Sequence, residues 1–164
     1  MKQEIEDLLA FFARSRKHMS YETIDERLEQ ELEDGSKLIG PYQEDIERKS
    51  FQFFDNYKVF EEEEFEGRET ILVNGCEKWF REYHGGFIDK NFVKKAQEVF
   101  EVLKEGMKCF PMQQPHKRGA TKLMIKDYLY EDSCEGGFEK YHGVEKIFYQ
   151  GKQIYELVYF GQLS

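Results

Sequence analysis

The chain has 164 residues, and its 24 basic and 33 acidic side chains give a formal charge of −9. This acidity argues against binding to nucleic acid or to an anionic membrane through a general electrostatic field. Hydrophobic residues make up 40% of the sequence and aromatic residues 16%, too many for a disordered chain. No apolar run approaches the roughly 18 residues that a membrane helix needs, and the first residues do not have the features of a signal peptide. We therefore expect one soluble, cytoplasmic domain over residues 1–164, without a cofactor.

Two helices are predicted at the start of the chain. Residues 3–17 place apolar side chains at i, i+3, i+4 and i+7 from Ile5, which is the pattern of an amphipathic helix. A second helix is predicted from Thr23, because a glutamate three residues later completes a capping box, and Gly35 ends it. The segment 1–35 is accordingly expected to be helical.

The rest of the chain is predicted to be mainly strands. Gly40 to Ser50 reads as a connector that opens with Gly-Pro, and an aromatic strand follows at 51–60. Asn74-Gly75 between two strand patterns is the strongest short-range signature of a β-hairpin. Beyond it we expect a helix, a loop and further strands. The predicted organisation is a β unit at 51–86, a helix at 91–106, a loop at 107–121, and a β unit at 122–162 with strands at 123–131, 145–150 and 153–160.

An internal repeat is suggested when the sequence is shifted by 76 positions. Identical residues then coincide at Gly67/Gly143, Glu69/Glu145, Ile71/Ile147, Gly75/Gly151, Tyr83/Tyr159 and Gly85/Gly161, and an aromatic is kept at Trp79/Tyr155. Upstream, Phe54-Asp55 coincides with Tyr130-Glu131. Any two hairpins with glycine turns share some of these features, which is the alternative explanation. The predicted fold class is α+β, with an antiparallel sheet built from two pseudo-repeated three-stranded units and helices packed on one face.

The repeat also supplies the candidate ligand-binding residues. Glu69 and Glu145 occupy equivalent positions, so a twofold relation would let them share a proton or bind a cation. The alternative is that each carboxylate accepts backbone N–H groups at a turn. Trp79 and Tyr155 are equivalent aromatics that would wall a pocket and attract a cation through their π faces, unless they are ordinary core residues.

Arg118 is the fifth candidate. It belongs to the basic island His116-Lys117-Arg118-Gly119 on a proline-flanked loop, where a guanidinium would suit a phosphate or carboxylate. The alternatives are a solvated loop or an ion pair with a nearby acid. The histidines and the three cysteines have no metal-ligand spacing, so no metal site is predicted and the cysteines are expected to be free thiols. No nucleophile or phosphate-binding motif is present, and catalytic residues are left unassigned.

These elements together resemble an uncharacterised bacterial domain family. The resemblance rests on Phe65-Glu-Gly-Arg-Glu69, Trp79…Tyr83-His-Gly85, Pro115-His-Lys-Arg118-Gly119 and Tyr141-His-Gly-Val-Glu145-Lys-Ile147…Tyr155-Glu156…Tyr159-Phe-Gly161. The chain departs from that pattern at Ala120, where the family has proline, and at Gln162, where it has glycine. The family has no established activity, so the resemblance implies a fold. In architecture the chain is also similar to the gyrase-inhibitor-like domains, which hold cationic or apolar small molecules in an aromatic pocket with a buried carboxylate.

Three functions remain open at this point. The favoured hypothesis is a non-catalytic binding domain for a small cationic or amphipathic ligand, or for a peptide. The first alternative is a small hydrolase or transferase with a carboxylate as general base and Arg118 as an anion clamp. The second is a protein–protein interaction module that uses the strand at 51–60 or the helix predicted from Thr23. The sequence predicts no oligomeric state.

Overall fold

A nine-stranded antiparallel sheet with two α-helices forms the described part of the chain. The computed structural model describes residues 2–19 and 28–164. The helices are α1 (Lys2–His18) and α2 (Ala96–Lys108). The strands are β1 (Glu29–Glu31), β2 (Lys37–Ile46), β3 (Lys49–Val59), β4 (Phe65–Val73), β5 (Cys76–Phe87), β6 (Lys122–Ile125), β7 (Tyr128–Gly137), β8 (Lys140–Tyr149) and β9 (Lys152–Leu163). The predicted α+β class is confirmed, with the sheet as the dominant part.

The strand order is β1-β2-β3-β4-β5-β9-β8-β7-β6. Two three-stranded units, β3-β4-β5 and β7-β8-β9, therefore meet where β5 pairs with β9. In that pairing Tyr83 lies opposite Tyr159. Each unit also pairs a glycine with its tyrosine, Gly67 with Tyr83 and Gly143 with Tyr159. The register is compatible with the predicted internal repeat, which nonetheless stays a prediction about how the chain arose.

The core lies between one face of the sheet and the two helices. Alternate strand residues point to this face because successive side chains of a strand lie on opposite sides. Phe12 of α1 packs on Trp79 with ring centroids 4.3 Å apart, and Phe100 of α2 packs on Phe65 and Phe87. In the described residues, no helix combines the length and apolar character needed to cross a membrane.

Three secondary-structure predictions need correction. Residues 20–27, where the second helix was predicted to begin, lie outside the described residues; residues 29–31 form strand β1 and not helix. The predicted connector from Gly40 to Ser50 is largely strand β2, and a register shift between Ile39 and Tyr42 lets the strand continue past the proline. The strand predicted at 123–131 is two strands, β6 and β7, separated by a turn at Lys126-Asp127.

The remaining elements are close to the expected positions. Helix α1 covers the predicted 3–17, and α2 begins at Ala96 after a 3-10 helix at Lys90–Lys95, five residues later than predicted. The Asn74-Gly75 hairpin is confirmed: both residues have positive φ, 51° and 78°, as a type I′ turn requires.

Candidate functional site

Asp55 is a carboxyl group on the inner face of the sheet. The alternation of β3 places Phe51, Phe53 and Asp55 on the core side, so the position that carries the acid is only 7% exposed. The Tyr83 hydroxyl donates to its Oδ1 over 2.8 Å. Burial, followed by the charge of Glu69, raises the pKa of Asp55 to about 7. A carboxyl in this state exchanges a proton near neutral pH.

Glu69 lies beside Asp55 in the sheet and is held by a buried arginine. The two residues are paired across β3 and β4. Arg81, which is fully buried, donates to both carboxylate oxygens of Glu69, and its third nitrogen donates to the His116 carbonyl over 3.1 Å. Burial alone would raise the pKa of Glu69, but the charge and hydrogen bonds of Arg81 outweigh it and lower that pKa. Glu69 is therefore an ionised partner of Arg81.

Glu145, the glutamate that the 76-residue shift aligns with Glu69, lies on β8. Its Oε1 accepts a hydrogen bond from the Arg118 guanidinium over 3.3 Å, and its Oε2 accepts one from the Tyr130 hydroxyl. Glu145 is fully buried, and this burial raises its pKa although Arg118 and Tyr130 act in the opposite direction. Both glutamates are thus already bonded to arginines.

Asp132 is the second-unit counterpart of Asp55. It is paired with Glu145 across β7 and β8, as Asp55 is with Glu69. The Tyr159 hydroxyl donates to its Oδ1 over 2.8 Å. Its Oδ2 accepts the backbone N–H groups of Arg118 and Gly119, over 3.0 and 3.3 Å. The loop between α2 and β6 therefore closes this side of Asp132.

Arg16 fixes that loop from helix α1. Its guanidinium donates to the carbonyl oxygens of Pro115, Lys117 and Arg118, with the first and last contacts at 2.8 and 2.6 Å. The His116 ring is buried next to this loop, and burial, with the charges of Lys117 and Arg81, lowers its pKa to about 4. The histidine is therefore neutral at pH 7.

Two cavities of about 430 Å³ each lie against Asp55. Ile39, Asp55 and Met107 line both of them. The first also has Glu69 and the half-buried Arg16 on its wall. The second is lined by Arg118 on one side and otherwise mainly by apolar and aromatic side chains. These side chains are Tyr57, Val59, Phe65, Tyr83, Phe100 and Leu103. A larger cavity of about 820 Å³ lies on the outer face of the sheet, with Phe54, Val158 and Phe160 in its lining. None of the four buried carboxyl groups described above lines it.

The five predicted site residues are placed differently. Glu69 lines the first cavity and Arg118 the second, whereas Glu145 lines neither. Trp79 is fully buried and stacks on Phe138, with ring centroids 5.7 Å apart. Tyr155, also fully buried, packs between Phe65 and Phe87. The two aromatics thus lie in the core and wall neither inner cavity, and the ligand-binding role of the five residues stays a prediction.

Sequence reasoning missed Asp55, Arg81 and Asp132. A signal for them was present in the strand alternation. In β5, Arg81 has the same phase as Trp79 and Tyr83, so an aromatic inner face requires the arginine to be buried. Asp55 follows Phe51 and Phe53 in the same way. The counterpart of Asp55 is Asp132, one residue beyond the Glu131 that the 76-residue shift selected.

The fold and this buried network define the chain as a sheet-dominated α+β domain with two matched sets of Asp, Glu and Tyr. A family model described as a domain of unknown function, DUF5680, matches residues 55–163, which is 109 of the 164 residues. The chain belongs to this family, in agreement with the resemblance seen in its sequence. No curated protein and no solved structure matches the chain.

Proposed function

We propose that this chain is a binding domain for a small, partly apolar cation, which it holds in the two inner cavities with the positive group at Asp55. Four carboxyl groups of the network, those of Asp55, Glu69, Asp132 and Glu145, have eight oxygens between them. Seven of these oxygens accept a hydrogen bond from a described residue. The eighth, Oδ2 of Asp55, has no donor among the described residues, and this observation carries the proposal.

The charge balance of the network agrees with a cationic ligand. Among the described residues of the network, four carboxylates face three guanidinium groups, those of Arg16, Arg81 and Arg118, and His116 is neutral at pH 7. With every carboxyl ionised the network has one excess negative charge, which is expensive in a buried place unless a cation or a proton compensates it. The pKa of Asp55, raised by burial and by the charge of Glu69, agrees with this balance, because protonation removes the excess negative charge.

The cavity walls suit the apolar part of such a ligand. Rings and aliphatic chains of Phe65, Phe100 and Leu103 line the second cavity. Lysine side chains also reach the cavities, Lys17 and Lys108 the first and Lys104 the second. Lys17 and Lys104 are exposed, and Lys108 is in an ion pair with Glu105 at 2.8 Å. Mostly apolar walls with a few polar groups are typical of small-molecule sites. The proposal keeps the cationic ligand expected from the sequence and moves its anchor from the glutamates to Asp55.

The test is calorimetric titration of the protein with small amines and amidines at pH 8, where Asp55 is mostly ionised. We expect at least one cation to bind the wild type and to lose ten-fold or more in affinity in Asp55→Asn, because a charge-assisted hydrogen bond is removed. Asp45→Asn is the matched control, since Asp45 lies exposed on β2. Absence of binding to the wild type, or unchanged binding to Asp55→Asn, contradicts the proposal.

A hydrolase or transferase is the second candidate, favoured by one observation. Asp55 and Arg118 line the same cavity, and a carboxyl with a pKa of about 7 is suited to act as a general base near neutral pH. In this case Asp55 would activate the nucleophile and Arg118 would orient an anionic group. Such an enzyme would lose turnover in Asp55→Asn and show a rate that rises with pH through about 7; binding without turnover favours the first function.

A further inference from the structure

We infer that the cation bound at Asp55 is an amidinium or guanidinium group that directs two N–H groups at Oδ2 of this residue. The inference rests on the proposed function and names its ligand class. It comes from a comparison between Asp55 and Asp132, which the fold places in matched surroundings and which differ in what reaches Oδ2.

The matched surroundings are seen in three contacts. Each aspartate is paired with a buried glutamate on the adjacent strand. Each accepts a tyrosine hydroxyl at Oδ1, over 2.8 Å in both units. Each tyrosine ring covers a glycine, Gly67 under Tyr83 and Gly143 under Tyr159, so closely that an added Cβ would come within 2.2 Å of a ring atom. The tyrosines are therefore held in equivalent places, and the two aspartates differ in the donors that reach Oδ2.

At Asp132 the protein's own backbone supplies the donors to Oδ2. Two consecutive backbone N–H groups, those of Arg118 and Gly119, converge on Oδ2. At Asp55 no described residue takes this place. The Asp55 carboxyl, 7% exposed, instead borders both cavities. The protein thus shows in its second unit the donor arrangement that the first unit lacks.

An amidinium reproduces this arrangement better than an ammonium does. It is planar, carries its donors on two nitrogen atoms as the two backbone amides at Asp132 do, and is more weakly hydrated than the compact ammonium charge, so it enters a mostly apolar cavity at lower cost. The three nearest guanidinium groups have other partners: Arg81 is bonded to Glu69, Arg118 to Glu145, and Arg16 to carbonyl oxygens of the loop. None of the three donates to Oδ2 of Asp55.

The experiment uses three probes with one benzene ring each. Benzamidine carries an amidinium, benzylamine carries the same charge as an ammonium, and benzamide is the neutral analogue of benzamidine. Titrated at pH 8, the wild type is expected to bind benzamidine at least ten-fold more tightly than benzylamine and to bind benzamide most weakly. Asp55→Asn should lose at least ten-fold in benzamidine affinity, while Asp45→Asn should bind as the wild type does.

A second measurement needs no variant. At pH 6.5 a cation that bonds to Asp55 must displace its proton, so the binding heat of benzamidine should differ between buffers of low and high ionisation enthalpy, such as phosphate and Tris. Equal or tighter binding of benzylamine overturns the amidinium inference and leaves the proposed function in place. Failure of both cations to bind, or binding without proton release, overturns the proposed function and the inference together.

Discussion

Asp55 holds a proton more tightly in the folded chain than in the unfolded chain. Its pKa is raised from 3.8 to about 7, first by burial and then by the charge of Glu69. Below pH 3.8 both states are protonated, and between the two pKa values only the folded state keeps the proton. The stability from this group is therefore fully present at low pH and is lost as the pH rises through about 7.

The prediction concerns the free energy of unfolding of the wild type relative to Asp55→Asn. Between pH 4 and pH 8 we expect the wild type to lose up to about 4 kcal/mol relative to the variant, from a shift of about three pKa units. Urea unfolding across this range measures it. Glu69, whose lowered pKa acts in the opposite direction, is present in both proteins, so only its interaction with Asp55 enters the difference. Parallel pH profiles would contradict the prediction.

At the level of elements, each three-stranded unit has a glycine on which a tyrosine ring packs, and that contact positions the tyrosine hydroxyl to donate to the aspartate. A Cβ added at Gly67 or Gly143 would displace the ring of Tyr83 or Tyr159 and with it the hydrogen bond to the aspartate. We expect Gly67→Ala and Gly143→Ala each to cost about 2–4 kcal/mol, which combines overpacking with a lost buried hydrogen bond.

Gly137→Ala is the matched control for these variants. Gly137 has no atom within 4 Å of an added Cβ, so the change should stay within about 0.5 kcal/mol. Chemical unfolding of the three variants makes the comparison. If Gly67→Ala or Gly143→Ala is tolerated as well as Gly137→Ala, the tyrosine is not held by the glycine in that unit.

Some secondary-structure elements could be predicted from the sequence and others could not. Asn74-Gly75 is recognisable as a turn because positive φ leaves few residue choices. Strand β2 was missed because Gly40-Pro41 resembles a loop, and only the neighbouring strand β3 explains why the chain stays extended there. The turn at Lys126 was missed because that residue has a positive φ of 54° without being glycine or asparagine.

The site was only partly predictable for a related reason. Glu69 and Glu145 were found through the repeat, but their partners depend on distant segments. Arg81 is 12 residues from Glu69, and Arg118 is 27 from Glu145. No local pattern gives such a pairing. Which described groups reach Oδ2 of Asp55 depends in addition on where the loop at Arg118 lies, and only the three-dimensional structure supplies that position.

For the whole molecule, helix α1 is part of the core although it precedes the region that the family model matches. Phe12 is fully buried against Trp79 and Phe53, and Arg16 holds the loop that contacts Asp132. We expect Phe12→Ala to cost about 3–5 kcal/mol, measured by chemical unfolding. Phe160→Ala on the outer face, where the side chain is 45% exposed, should cost clearly less.

The same reasoning predicts that a chain of residues 55–163 does not fold alone. It lacks α1, β2 and half of β3, whose aromatic side chains complete the core. Far-ultraviolet circular dichroism and amide chemical-shift dispersion measure this. A cooperatively folded 55–163 chain would show that the core does not depend on α1.

The position of β9 has a consequence for protein synthesis. It is the last strand in chain order, yet it lies in the interior of the sheet between β5 and β8. While the ribosome makes the chain, β5 and β8 each expose an unpaired edge, and such edges can pair with other chains. The two halves of the sheet join only when β9 emerges. We therefore expect chaperones that shield nascent chains to bind this protein mainly after β8 has been synthesised and before β9 has emerged from the ribosome.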